Sequence, residues 1–263
     1  MTFAHPLPDQ FMVNDLLTLG VRTGGVLLVH SSLRALGVLP GGAESVIRSL
    51  LAALGPDGTL LMPALSYASV RSSRPVFDAR QTPSCVGALS EVFRTRPGTL
   101  RSIHPTHSVC AVGRLAGDLL GDHERDTTPC GPHSPFAGLP AVHGQILFLG
   151  CGLRPNTSMH AVEELVEPSY LFAEPLEYQI TRSDGSQGTM RVRRHNFQGW
   201  EQRYDRLETL LAAPDLRRGR VLQAACHLVE AAALWPAALG ALRTDPLFFV
   251  EPGAIENGRE ETP

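Results

Sequence analysis

The segment Asn156-Thr157-Ser158-Met159-His160-Ala161-Val162-Glu163-Glu164 sets a histidine three and four residues ahead of two carboxylates. It comes shortly after the hydrophobic run Ile146-Leu147-Phe148-Leu149. Read as strand, loop and helix start, the spacing puts His160 on one helical face with Glu163 or Glu164. A carboxylate there holds one imidazole nitrogen, orients the ring and raises the basicity of the other, which is the working part of a general base. The helical register permits either glutamate as the partner. Surface His-Glu pairs are common on helices, so the pairing acquires meaning from the rest of the chain.

Other segments carry groups that bind or react. His30-Ser31-Ser32-Leu33-Arg34-Ala35-Leu36-Gly37 follows a strand-like run and leads through Gly41-Gly42 into a helix. Free amides, hydroxyls and an arginine in such a loop suit a phosphate or pyrophosphate. Ordinary capping serines would look the same, and neither GxGxxG nor GxxxxGK[ST] is present. A serine hydrolase using Ser31 or Ser32 is a competing reading, although GxSxG is missing. In Arg101-Ser102-Ile103-His104-Pro105-Thr106-His107-Ser108, two histidines stand three apart. Pro105 disfavours a helical ligand pair and no third ligand lies nearby in sequence, so a polar turn lining a cleft is expected rather than a metal site. The stretch Glu163, Glu164, Glu167, Glu174 and Glu177 has no basic residue between Arg154 and Arg182 other than His160. Such a run is a solvated face or an attractor of a cationic substrate.

The elements that must position these groups follow from periodicity. Gly25 to Val29 reads as a buried strand, Ala43 to Leu54 as a helix and Thr59 to Met62 as a second strand, so part of the sheet should be parallel. A Ser-, Arg- and Pro-rich loop over 67–84 leads to a helix near Val86 to Thr95. Strands are expected at Val109 to Val112 and Gln145 to Leu149, and a hairpin over Tyr178 to Val192 turns at Ser183-Asp184-Gly185. Helices are expected over Trp200 to Ala212 and Val221 to Leu234, a last strand over Leu247 to Val250, and a loose tail from Glu251. The expected architecture is α/β: a mixed, partly parallel central sheet flanked by helices. It forms a single domain over 1–263, with a hairpin-containing subdomain over roughly 168–205.

Composition excludes several classes. The chain has 263 residues, 43% of them hydrophobic, enough for a sizeable core. A net charge of -3 gives no electrostatic footprint for nucleic acid. All 23 residues counted as Lys or Arg are arginine, which excludes a Schiff-base or P-loop lysine. The five cysteines are widely spaced with no CxxC, as expected of reduced thiols rather than a disulfide framework or structural zinc. Residues Met1 to Gly20 do not read as a secretory signal, and no apolar run nears the roughly 20 residues of a membrane span. A cytoplasmic protein with no membrane association is expected.

The order of these segments resembles the aminoglycoside 3-N-acetyltransferase family. Val29-His30-Ser31-Ser32-Leu33-Arg34 with Gly37 and Gly41-Gly42 comes first, then Gly58-Thr59-Leu60-Leu61-Met62-Pro63. Pro97-Gly98, Arg101-Ser102, His104-Pro105, His107-Ser108 and Ser134-Pro135 follow, and then Leu149-Gly150 and Thr157 to Glu163 with its His-x-x-Glu element. The likeness runs from about Leu16 to Val250.

The resemblance implies transfer of an acetyl group from acetyl-CoA to an amine of an aminoglycoside, the 3-amino group of the 2-deoxystreptamine ring. It implies a fold other than the GNAT type and a reaction that needs no metal. His160 would be the base and Glu163 its orienting carboxylate. Ser31, Ser32, Leu33, Arg34, Gly37, Ser102 and Ser108 would hold CoA. Beside that base, Glu164, Glu167 and Glu174 of the acid-rich stretch would attract a small cationic substrate. An ammonium must lose a proton before it attacks a thioester, and an imidazole, with an ordinary pKa of about 6.5, accepts that proton near neutral pH. No cysteine nucleophile is required. One departure stands out: the family usually has threonine after Met-Pro where this chain has Ala64, so if that hydroxyl serves the acyl site, this chain uses another donor, such as Ser66, or is slower. Alternatives are an N-acyltransferase for a different amine and a CoA-binding protein with little catalysis.

Overall fold

The structure, a computed structural model, describes residues 9–253. Helix α1 (Gln10–Leu19) leads into β1 (Val26–Ser31), a 3-10 turn (Leu33–Leu36), α2 (Gly42–Leu54) and β2 (Thr59–Pro63). Then come β3 (Val76–Asp78), α3 (Ala88–Thr95), β4 (Leu100–Arg101), β5 (Val109–Gly113) and α4 (Ala116–Leu120). Next are β6 (Gln145–Leu149), α5 (Met159–Glu163), β7 (Phe172–Thr181), β8 (Gln187–His195) and β9 (Trp200–Gln202). A 3-10 stretch (Tyr204–Thr209) precedes β10 (Leu216–Val221), β11 (Ala224–Glu230), α6 (Ala231–Thr244) and β12 (Val250–Pro252).

The central sheet has the order β10-β11-β6-β1-β2-β5-β4. Strand β1 lies parallel to both β2 and β6, while the other pairings are antiparallel. This is the mixed α/β sheet that the strand-helix-strand pattern requires. The continuous apolar runs of β1, β2 and β6 are buried on both faces, as central parallel strands must be. Side chains alternate between two cores. Leu28, Leu61, Ile146 and Phe148 pack with Leu234, Ala238 and Leu242 of α6. Leu27, Val29, Leu60, Leu147 and Leu149 pack with Leu16 of α1 and with Val46 and Leu50 of α2. Each fully buried leucine contributes about 1.5–3 kcal/mol of transfer free energy, so register is fixed by a two-sided demand.

A separate three-stranded sheet, β3-β7-β8, surrounds its own core of Val70, Phe77, Tyr178, Ile180, Met190 and Val192. It contains the expected hairpin, longer at both ends than the alternation alone indicates. Strands β9 and β12 form a small two-stranded sheet.

The C-terminal third corrects the sequence reading. The helix expected over Trp200 to Ala212 is β9 followed by a 3-10 stretch. The one expected over Val221 to Leu234 is mostly β11, and the true helix, α6, begins at Ala231. A short apolar run is ambiguous between helix and buried strand. Antiparallel pairing with β6 decides it, sending Leu228 and Val229 to opposite cores. The last strand lies at Val250–Pro252, so Glu251 is paired rather than loose, while 254–263 fall outside the described residues. Helix α1, absent from the expectations, starts where Asp9 accepts the Met12 amide and ends at left-handed Gly20. Among the described residues, no helix is long and apolar enough to cross a membrane.

Candidate active site

The carboxyl ends of the parallel strands β1 and β6 lie side by side, with His30 opposite Phe148 and Ser31 opposite Leu149. This is where open α/β sheets hold ligands. A cavity of about 1110 Å³ opens there, bounded also by the β3-β7-β8 sheet and the segment around Tyr204.

Beyond β6 the chain turns at Gly150, whose φ of +72° is costly for other residues. A Cβ there would meet the Ala35 Cβ at 2.5 Å, so the turn also lets the Leu33–Leu36 segment pack closely. The loop then enters α5 through tight turns in which the amides of Met159, His160 and Ala161 donate to the carbonyls of Asn156, Thr157 and Ser158. His160 and Glu163 share one face of this short helix, and His160 Nδ1 lies 3.0 Å from Glu163 Oε2.

Glu163 is wholly buried. Tyr204 donates to its Oε2 at 2.8 Å and Tyr170 donates to its Oε1 at 2.8 Å. Together with the imidazole N–H, these donors compensate the removal of the carboxylate from water. Burial and the neighbouring Glu163 charge hold both phenols well above the usual tyrosine range, so they stay as donors. The Tyr204 oxygen also lies 3.0 Å from His160 Nδ1. With Nδ1 so occupied, Nε2 of His160 is the nitrogen left for the cavity, which His160 lines.

Glu164 points elsewhere. Its Oε1 accepts the Cys130 amide at 2.8 Å and lies 2.9 Å from His195 Nε2. Burial raises its pKa to about 7, against the lowering effect of the hydrogen bonds. His195, His160 and His107 meet ring against ring, with His195 centred 4.6 Å from His160 and 4.9 Å from His107. Burial and the neighbouring rings hold His107 and His195 well below the usual imidazole range. His30, stacked on Phe148 at 5.2 Å, is lowered to about 3 by burial and the nearby His160.

The two histidines of the Arg101–Ser108 segment have different fates. His104 Nδ1 accepts the His107 amide at 2.9 Å, and its ring stacks on His123. It stabilises the turn, while His107 reaches the cavity. Arg71, Arg154 and Arg194 also line the cavity, and among the described residues no carboxylate does.

Residues 28–243 match the family described as Aminoglycoside 3-N-acetyltransferase. The chain belongs to that family. Aminoglycoside N(3)-acetyltransferase IV of Salmonella sp is 35% identical over 245 residues, covering 92% of this chain and 89% of its own. A histidine-to-alanine mutant of aminoglycoside acetyltransferase AAC(3)-IVa, solved in complex with a gentamicin, matches with TM-score 0.79 and 31% identity over 96% of this chain and 94% of its own. AAC-IIIb, solved as a binary complex with CoASH, matches with TM-score 0.77 and 26% identity over 92% of this chain and 97% of its own.

The residues that the family resemblance marked do not all converge. His160 and Ser31 line the cavity, and Glu163 stands directly behind His160. Ser32, Leu33, Arg34 and Gly37 occupy the adjoining turn without lining it, and Gly37 faces Gln223. Ser108 donates to the Ala64 carbonyl at 2.9 Å and receives Arg101 Nε at 2.9 Å. Ser102 is bonded to the Val109 amide and His123, on the wall of a separate pocket. Ser66 donates to the Pro105 carbonyl at 2.7 Å, which removes its hydroxyl from the role that Ala64 leaves open. Glu167 pairs with Arg193 at 2.7 Å, Glu174 is exposed on β7, and neither lines the cavity. Tyr170, Tyr204 and His195 escaped the sequence reading because nothing local marks them. They arrive from 7, 41 and 31 residues beyond the glutamates they bind.

Proposed function

We propose that the chain transfers the acetyl group of acetyl-CoA to an amine of an aminoglycoside, with the 3-amino group of the 2-deoxystreptamine ring as acceptor. The observation that carries this is the Tyr204-Glu163-His160 chain, whose free imidazole nitrogen faces the cavity within a family defined by that reaction. His160 Nε2 takes the ammonium proton. The amine nitrogen then attacks the thioester carbon, the C–N bond forms, the C–S bond breaks, and the second proton of the nitrogen passes to the leaving sulfur, so that CoA departs as the thiol. Glu163 balances the imidazolium, and the two tyrosines fix the carboxylate so that little reorganisation accompanies proton transfer.

Charge on the thioester oxygen needs a donor. Asn156 lines the cavity, accepts Ser158 Oγ on Oδ1 at 2.5 Å, and has a buried Nδ2 without a partner. We assign it that role. Arg71, Arg154 and Arg194 supply positive charge for the phosphates of CoA, with the Ser31–Arg34 turn beside them. Glu167 and Glu174 remain candidates for attracting the cationic acceptor to the rim, whereas Glu164, buried against His195 and the Cys130 amide, acts through His195. The 168–205 segment is read as a subdomain of a single domain, and the free thiols suit the reducing cytoplasm.

The test is thiol release from acetyl-CoA across gentamicin, kanamycin, apramycin and a simple diamine, comparing wild type with His160→Ala. The variant should lose about 10²–10⁴-fold in kcat while acetyl-CoA affinity stays nearly constant. Equal turnover in both proteins would remove His160 from the mechanism.

A further inference from the structure

His107 precedes β5, His160 lies on α5, and His195 ends β8, yet each ring offers a nitrogen within 4.8 Å of the other two. On every ring one nitrogen is engaged in a hydrogen bond. Nδ1 of His107 meets Thr106 Oγ1 at 2.9 Å, Nδ1 of His160 meets Glu163, and Nε2 of His195 meets Glu164. Hydrogen bonding thus leaves Nε2 of His107, Nε2 of His160 and Nδ1 of His195. The last is buried without any partner. A buried polar atom left unpaired is costly, and a bound cation would relieve that cost.

We propose that His107, His160 and His195 bind a divalent first-row metal ion, Zn²⁺ in particular, and that the ion inhibits acetyl transfer by occupying the base nitrogen. The binding half stands on geometry alone, while the inhibitory half rests on the function proposed above. Three imidazoles suit zinc, copper, cobalt or nickel and disfavour magnesium and calcium, which need oxygen ligands. Two of the three rings are backed by carboxylates, Glu163 and Glu164, the arrangement that orients metal-binding histidines and raises their donor strength. Tetrahedral bonds of about 2.0–2.1 Å put ligand nitrogens about 3.3 Å apart, so the widest gap closes by up to roughly 1.5 Å. The fourth position faces the cavity and takes water.

The test is calorimetric titration of Zn²⁺ into the wild-type protein without acetyl-CoA, with Co²⁺ as a visible-spectrum probe of tetrahedral coordination. The expected result is one ion per chain, and perturbation of three of the ten imidazole spectra in a ¹⁵N-histidine-labelled sample. His107→Ala and His195→Ala, checked by thermal melting, should each weaken binding at least about tenfold. Absence of stoichiometric binding by wild type, or perturbation of other histidines, would overturn the site. Inhibition should follow the same Zn²⁺ dependence and reverse with a chelator. Binding without inhibition would overturn the second half alone. A protein inactive with every aminoglycoside but binding one Zn²⁺ at these rings would sink the proposed reaction and leave the site standing.

Discussion

His195 Nε2 lies 2.9 Å from Glu164 Oε1, beside the 3.0 Å contact between His160 Nδ1 and Glu163 Oε2. Adjacent glutamates thus serve different histidines. On a helix, neighbouring side chains point about 100° apart, so Glu163 returns to His160 within its own turn while Glu164 reaches across to β8. The ambiguity of the His-x-x-Glu-Glu spacing resolves into two dyads whose rings touch.

Replacing Glu163 or its donors should separate orientation from proton affinity. Glu163→Gln keeps the volume but removes the charge that balances the imidazolium, and kcat should fall about 10²-fold or more. Tyr204→Phe removes one donor to that carboxylate, with an expected stability loss of about 1.5–3 kcal/mol and a displaced pH-rate profile. An unchanged profile in Tyr204→Phe, read from kcat between about pH 5.5 and 8.5 to bracket the imidazole range, would show that the phenol only packs.

Asn156→Ala deletes the amide assigned to the thioester oxygen. Loss of one such donor lowers kcat by about 10²–10³-fold, with KM for acetyl-CoA little changed. A rise in KM at constant kcat would instead make Asn156 a binding residue.

Stability should fall steeply in mild acid. His30 is lowered to about 3 and His123 to about 4, and His104, His107 and His195 lie well below the ordinary 6.5, all chiefly through burial. Below pH 6.5 the unfolded chain therefore binds protons that the native one refuses, and each histidine removes up to about 1.4 kcal/mol per pH unit. Glu164, raised to about 7 from 4.5, acts in the opposite sense between those two values, because there the native state holds the extra proton. Asp126, also raised by burial, opposes the histidines too. Five histidines outweigh these two carboxyls, so Tm should drop from about pH 7 to about pH 5. A higher Tm at the acid end would contradict the buried neutral state of these rings.

Cysteine chemistry should be dispensable. Burial raises Cys110 and Cys151 to about 12 and Cys130 well above its ordinary value, so little thiolate is present at neutral pH. Cys110→Ser and Cys151→Ser should retain turnover, and mass spectrometry during turnover should find no acetylated enzyme. An acetyl adduct on either thiol would replace direct attack with a covalent route.

Much of the site was legible because its chemistry is local. His160 and Glu163 meet within a single turn of α5, and the strand-loop-helix approach follows from Ile146–Leu149 and the turn beyond. The parallel β1-α2-β2 unit is likewise fixed by apolar runs and the Gly55-Pro56-Asp57-Gly58 stop. Ala224 to Val229 was not legible in that way, since its apolar content suits helix or strand until β6 offers a partner. His107 falls in the polar turn expected to line a cleft and does line the cavity, but Tyr170, Tyr204 and His195 have no local signature, and only tertiary packing brings them onto α5. The acid-rich stretch shows the converse: its charges are contiguous in sequence, yet folding buries Glu163 and Glu164 against phenols and an imidazole and leaves Glu174 exposed. Short-range periodicity in the chain was enough to specify β1, α2, β2, β5 and β6 and to set His160 beside two glutamates, while its role as base came from the family resemblance. Which groups surround that base was settled only in three dimensions, because those contacts depend on how separate elements close around one cavity.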